Sequence, residues 1–226
     1  KKIILMNILI TGYKGFIGTH LKNHLSKKHT VIGIDKPDNL LNCSLKHDVD
    51  LVIHLAAIPG VRYSLKHPFK VLWNNIYTSY RIFKTFSCPI LYASSSTVYE
   101  PWRNPYALSK WIVEKIAPSH ATGMRFVTVY NRHERPEMFT SLLMSNKLKY
   151  VVKDTWRDFI HVSDVISAIE ILIKANDKPK TVDIGTGTSI LLESLTNVKK
   201  VNRKFYDRKD NKANIEYLKN KGWKIK

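Results

Sequence analysis

Residues 3–18 read IILMNILITGYKGFIG, and the order of events in this stretch decides the fold. Ile3 to Ile10 form an almost unbroken apolar run, the pattern of a strand buried on both faces of a parallel sheet. Glycines then fall at 12, 15 and 18, and a helical pattern follows with Ile17, Leu21 and Leu25 on one face. Strand, glycine turn and helix in that order give each glycine a task. Gly12 makes the tight turn, Gly15 lets backbone amides approach a diphosphate at the helix N-terminus, and Gly18 lets the helix pack on the strand.

Downstream, the same alternation repeats. TVIGI (30–34) is a second strand, closed by Asp35. A carboxylate there can accept both adenosine ribose hydroxyls and would repel a 2′-phosphate, so NAD is expected over NADP. LVIHLAA (51–57) is a third strand, a long helix is predicted from Pro68 to Phe86, and PILYASS (89–95) is a fourth strand. Pro105 sits at a helix start, where its missing N–H does no harm, and MRFVTVY (124–130) is a further strand. The predicted class is α/β, a doubly wound parallel sheet of Rossmann type with a small abbreviated C-terminal substrate lobe. Residues 1–130 are expected to form the dinucleotide-binding core. Residues 131–226 are expected to form the substrate lobe, with part of that chain returning to the core.

Tyr106 and Lys110 form YxxxK on a predicted helix, four positions apart and so on one face. A free tyrosine has a pKa of about 10, and a neighbouring cation favours its phenolate, which makes Tyr106 a usable base. The serine-rich strand end SSSTVY (94–99) lies just upstream, where ligands bind in open α/β sheets. Ser95 is placed to hydrogen-bond the reacting hydroxyl, so Ser95, Tyr106 and Lys110 are the expected catalytic set.

TGYKGFIG, VIHLAA, SSSTVY, YALSK, RDFIHVSD and DIGTG appear in this order along the chain. The chain resembles the extended short-chain dehydrogenase/reductases, in their NAD-dependent nucleotide-sugar epimerase/dehydratase group. AAIPGVRYSLKHP (56–68) and RFVTVYNRHERPEM (125–138) bring it closest to the UDP-glucuronate 4-epimerases. The resemblance implies a cofactor site of Gly12, Gly15, Phe16, Ile17, Gly18, Asp35, Leu55, Ala56, Ala57, Asn75, Tyr106 and Lys110, with Asn75 near the nicotinamide. It implies substrate contacts from Ser96, Thr97, Thr128, Arg135, Arg157 and Arg208, with Arg62 at the site's edge. An arginine fork suits a phosphate or carboxylate. The implied reaction inverts C4 of a UDP-sugar, UDP-glucuronate above others, through a 4-keto intermediate. Related dehydratases and decarboxylases carry carboxylates where this chain has Ser96 and Thr97, which favours simple epimerisation. The other readings are a dehydratase or reductase of the same group, or a protein that binds NAD or a nucleotide sugar without turnover.

The sequence also departs from that group. The stretch between Asp35 and the third strand is compressed, leaving Asp38 or Asn42 to stand in for the usual adenine contact. Glu100 replaces a glycine, and Asn131 and Arg132 replace a Gly-Pro pair.

A chain of 226 residues suffices for one sizeable core, and 44% hydrophobic residues is a globular composition. No window is apolar enough for a membrane span. Two cysteines, Cys43 and Cys88, without CxxC spacing suggest neither a disulfide framework nor a zinc site, and a cytoplasmic location is expected. No metal is expected. The net charge is +19, and residues 196–226 hold eleven Lys and Arg against three Asp and Glu. No nucleic-acid motif organises these cations, so they are read as drawing in an anionic small substrate rather than a polynucleotide. A homodimer is the expected assembly.

Overall fold

The structure, a computed structural model, describes residues 5–35, 48–132 and 136–226. Asp38, Asn42, Cys43 and Arg135 lie outside the described residues.

In chain order the elements begin with β1 (Asn7–Thr11), α1 (Phe16–Leu25), β2 (Thr30–Ile34), β3 (Leu51–His54), α2 (Val61–Lys66), α3 (Pro68–Thr85), β4 (Ile90–Ser95), α4 (Pro105–Ile116) and β5 (Ala121–Phe126). They continue with β6 (Thr128–Tyr130), α5 (Phe139–Met144), β7 (Tyr150–Val152), β8 (Trp156–His161), α6 (Val162–Lys174), β9 (Thr181–Ile184), β10 (Ser189–Leu191), β11 (Lys199–Val201) and α7 (Glu216–Asn220). Short 3-10 turns at Ser96–Tyr99 and Pro101–Arg103 join β4 to α4.

The six-stranded sheet has the order β2-β1-β3-β4-β5-β9. β1 runs parallel to both β2 and β3, and β3 parallel to β4. This is the predicted Rossmann class. The order reverses at β1, so the crevice at the C-terminal ends of β1 and β3 is the switch point where such sheets take ligands. The central strands are apolar on both faces: Ile8, Leu9, Ile10, Val52 and Ile53 have no exposed surface. On one face Leu9, Val52, Ile90 and Tyr92 pack with Ile82 and Phe83 of α3 and Val113 of α4.

Some boundaries differ from the sequence reading. β3 stops at His54, because Leu55 onward turns away into the loop that leads to α2. The single strand expected at 124–130 is two, β5 and β6, divided at Val127. Strands near Tyr150 and Thr181 and a helix at Val162–Lys174 are found as read, whereas α2, α5, β10, β11 and α7 were not anticipated. Each has too few residues for a period to show.

The chain divides into two compact units, the described residues of Lys1–Arg125 with Asn176–Val182, and Phe126–Ala175 with Asp183–Lys226. The second contains a three-stranded sheet, β10-β8-β6, and the parallel pair β11-β7. Asp158 anchors it. Fully buried, its carboxylate accepts from Thr186 N and Oγ1, Gly187 N and Ala213 N, drawing the DIGTG loop and the C-terminal segment onto β8.

Candidate active site

The glycine turn is built as its spacing requires. Gly12 has a φ of 75°, and a Cβ there would lie 2.7 Å from Ala56 N. A Cβ on Gly18 would overlap the Gly12 carbonyl. α1 opens on Gly15 with no side-chain cap and no acid in its first turn, so its N-terminal end presents backbone amides and an unopposed dipole. Beside it lies a cavity of about 320 Å³. Gly12, Gly15, Asp35, Leu55, Ala56 and Ala57 line it, six of the residues expected at the cofactor. Lys14, Ile58, Asn74 and Thr78 complete the lining. Phe16 and Ile17 are the half-buried first residues of α1, and Gly18 is buried against the turn.

Asp35 accepts a hydrogen bond from Lys14 N at 2.7 Å. One carboxylate oxygen thus fastens the glycine turn to the end of β2. Asn75, expected near the nicotinamide, is 1% exposed and acts as a clamp. Its amide accepts from Ile58 N at 2.7 Å and donates to Ile58 O and Ser109 Oγ, each at 3.1 Å. Asn75 therefore joins the 55–60 loop to α4, while its neighbour Asn74 faces the cavity.

The catalytic candidates sit on β4 and α4. Asn104 caps α4 by accepting from Ala107 N at 2.8 Å, and Pro105 occupies the first turn. This start puts Tyr106 and Lys110 one turn apart. Tyr106 is half-buried. Lys110 is 4% exposed; its ammonium donates to Ala93 O at 2.8 Å and lies 6.0 Å from the centre of the Tyr106 ring. Burial lowers its pKa to about 8, partly offset by the Glu114 carboxylate. Ser95, at the end of β4, receives hydrogen bonds at its Oγ from Thr97 N at 3.2 Å and Thr97 Oγ1 at 3.0 Å. The oxygen accepts twice, so its own proton is available to donate. Ser96 is buried and Thr97 half-buried in the turn that follows. Arg62 is exposed on α2.

In the second unit, Thr128 on β6 accepts from Asn211 Nδ2 at 3.2 Å. Arg157 on β8 donates through Nη1 to the carbonyls of Trp156 at 2.7 Å, Arg208 at 3.1 Å and Lys209 at 3.4 Å. Burial lowers its pKa to about 10. Arg157 thereby holds the Arg208 segment beside it, and half-buried Arg208 adds a second positive charge.

Sequence reasoning missed a polar face on α3. Asn74, Asn75, Thr78 and Ser79 form two pairs one helical turn apart, and three of the four are buried. Uncharged polar residues spaced in this way within an otherwise apolar helix face are the signal that would have found it. It also missed Glu114, which accepts from Ser94 Oγ at 2.5 Å and from Arg125.

A glycine turn against an acid-closed second strand, with a YxxxK helix, defines a dinucleotide-dependent enzyme of the Rossmann class, and comparison with known proteins supplies the family. The chain belongs to the NAD dependent epimerase/dehydratase family, whose pattern matches residues 8–185. Protein CapI of Staphylococcus aureus is 31% identical, over 77% of this chain and 71% of its own length. UDP-glucuronate 4-epimerase 4 of Arabidopsis thaliana is 27% identical over 71% of this chain, which spans 52% of that protein. Among solved structures, MoeE5 in complex with UDP-glucuronic acid and NAD is 26% identical, with a TM-score of 0.81, covering 97% of this chain and 94% of its own.

NAD is the family's cofactor, and the residues present fit it. The Gly12 and Gly18 positions exclude side chains, α1 opens without a cap, and Asp35 stands at the end of β2 beside the cavity. Among the described residues no helix is long and apolar enough to cross a membrane.

Proposed function

We propose that the chain is a nucleotide-sugar 4-epimerase whose preferred substrate is UDP-glucuronate. The observation that carries the reading is the placement of Lys110, buried with its ammonium on Ala93 O and within reach of the Tyr106 ring. A buried ammonium over the ring of a phenol favours the phenolate, the form a base needs.

A bound nicotinamide would supply hydride transfer at C4 of the sugar. Tyr106 removes the proton from the C4 hydroxyl and later gives it back. Ser95 donates its hydroxyl proton toward the same oxygen, an orientation supported by the two hydrogen bonds it accepts. Lys110 holds its charge beneath Tyr106 and fixes α4 against β4 through Ala93. Gly12, Gly15 and the start of α1 would hold the cofactor diphosphate, and Asp35 its adenosine ribose. Thr128, Arg157, Arg208 and Arg135 are the proposed contacts to the nucleotide diphosphate and the sugar carboxylate, with Ser96, Thr97 and Arg62 on the sugar side.

Epimerisation is favoured over dehydration because the β4 end offers hydroxyls. Ser95, Ser96 and Thr97 carry no carboxylate for an elimination step, and Glu114 is engaged by Ser94 and Arg125. A homodimer is proposed on the exposed aromatic stripe of α3 at Phe69, Trp73 and Tyr80, with Trp111 and Ile116 on α4. A reducing, cytoplasmic setting is proposed from the sparse cysteines.

The deciding experiment incubates the protein with UDP-, GDP- and dTDP-sugars and separates the products. The C4 epimer of UDP-glucuronate is expected. The Tyr106→Phe variant should lose activity by about 10²–10⁴ while keeping NAD. A product lacking the elements of water would identify a dehydratase instead.

A further inference from the structure

We propose that His54, held as the neutral Nε2–H tautomer, is a positioning residue that ties the cofactor turn to the helix carrying Tyr106. The proton ledger of the surrounding hydroxyls leads there. Thr11 Oγ1 accepts from Ala56 N at 3.4 Å and lies 2.6 Å from His54 Nδ1. That hydroxyl can donate to Nδ1 while accepting from Ala56 N. On the other side Ser79 Oγ donates its only proton to Asn75 O at 2.7 Å, and it lies 3.1 Å from His54 Nε2. Nε2 therefore carries the hydrogen and donates. In the neutral ring Nδ1 is then the acceptor, and the Thr11 leg agrees with the tautomer that the Ser79 leg assigns.

An imidazolium is disfavoured here: the ring is enclosed, its two printed partners are neutral hydroxyls rather than carboxylates, and the charge that acts on it is the Lys110 ammonium. The ring is 3% exposed, and burial, followed by the nearby Lys110 charge, lowers its pKa to about 3. Lys110 on α4 is the cation that shifts it, and Thr11 on β1 and Ser79 on α3 present only hydroxyls.

The chain continues in both directions. Beyond Thr11 lies Gly12, and Ala56 lines the cofactor cavity. Beyond Ser79, the Asn75 amide grips both backbone groups of Ile58, another lining residue, and donates to Ser109 Oγ. Ser109 in turn donates to Tyr106 O at 2.7 Å. A path of hydrogen bonds, linked covalently through residue Asn75 and all within the first unit, therefore runs from the glycine turn through His54 to the backbone of Tyr106. His54 is the link in this path that joins β1 to α3, through one ring nitrogen to each.

The test begins with the ¹⁵N-labelled protein, the His54 signals being assigned by their loss in His54→Asn. The Nε2–H tautomer is expected, without titration from about pH 5 to 8. An Nδ1–H tautomer, or titration in that interval, would overturn the assignment. The two legs are then cut separately. Thr11→Val should weaken NAD binding by about tenfold, and Ser79→Ala should lower kcat by about tenfold with a smaller effect on NAD affinity. If both variants lose only stability, with NAD affinity and kcat within about twofold of the parent, His54 is structural and the proposal fails. The kcat arm rests on the reading of Tyr106 as base. The NMR and NAD arms do not, so failure of the epimerase reading leaves them standing.

Discussion

Arg125 grips Glu114 with two parallel hydrogen bonds, Nε to Oε1 at 2.9 Å and Nη2 to Oε2 at 2.7 Å. The pair joins β5 to α4, and the hydrogen bond donated to Glu114 raises the Arg125 pKa further above its ordinary value. Glu114 also accepts from Ser94, the neighbour of Ser95, and Arg125 donates to Tyr99 Oη at 3.1 Å. One ion pair thus steadies the serine strand end and the turn beyond it from beneath. The Glu114 side chain is 7% exposed and that of Arg125 21%, so removing the acid strands a poorly solvated cation.

Glu114→Ala should therefore cost about 2–3 kcal/mol, read from urea denaturation, more than an exposed ion pair would contribute. The double variant Glu114→Leu/Arg125→Met should recover most of that loss, because neither charge is then left alone. An unchanged urea midpoint in Glu114→Ala would show that water already satisfies Arg125.

The Lys110 ammonium makes a prediction in which activity and stability move in opposite directions. Its pKa in the folded chain is lowered to about 8, by burial first, against about 10.4 in an unfolded one. Catalysis through the proposed set uses the charged form, so kcat/KM should fall as pH rises through about 8. The unfolded chain binds more protons between the two pKa values, so stability should rise across the same interval. Lys110→Met should remove both slopes. A flat kcat/KM to about pH 10 would mean that the charge on Lys110 does not serve the reaction.

Much of this site was legible in the sequence because its determinants are local. The glycine turn, the acid closing β2 and the YxxxK pair are each set by spacing within one element, and the structure places Gly12, Gly15 and Asp35 around one cavity. What was not legible is what depends on partners far along the chain. His54 meets Thr11 across 43 positions, Arg125 meets Glu114 across 11, and Asp158 gathers donors from 28 to 55 positions away. Nothing in a local period marks such pairings. Asn75 shows the middle case: its importance was visible, but its task as a clamp on Ile58 and Ser109 needed the packing of α3 on α4.

Asp35 ties cofactor choice to the shape of the turn. Its carboxylate accepts from Lys14 N at 2.7 Å and lines the cavity beside it. Asp35→Ala should weaken NAD by about tenfold, through loss of the ribose contact and loosening of the turn, and should weaken NADP less. Calorimetric titration of both cofactors against parent and variant measures this directly. Tighter binding of NADP than NAD by the parent protein would contradict the role given to Asp35, with Lys14 then the residue to examine for a 2′-phosphate contact.

Substrate choice is the prediction that separates a UDP-glucuronate epimerase from its neutral-sugar counterparts. The motive is the pair of segments 56–68 and 125–138, together with the cations of the second unit. Arg157 is held by three backbone carbonyls and Arg208 is kept beside it. These fixed charges suit a diphosphate in any nucleotide sugar. Selection for a uronic acid instead requires a group that meets the sugar carboxylate, the role proposed for Thr128 and Arg135. Thr128 Oγ1 already accepts from Asn211, which leaves its own proton to donate. A neutral sugar would leave these groups unmatched, at a cost of about 1–3 kcal/mol for a polar group buried on binding. UDP-glucuronate should therefore exceed UDP-glucose in kcat/KM by about tenfold or more, and Thr128→Val should narrow the ratio mainly by slowing UDP-glucuronate. Equal turnover of the two sugars by the parent protein would move the chain to the neutral-sugar 4-epimerases while leaving the roles of Tyr106, Lys110 and His54 intact.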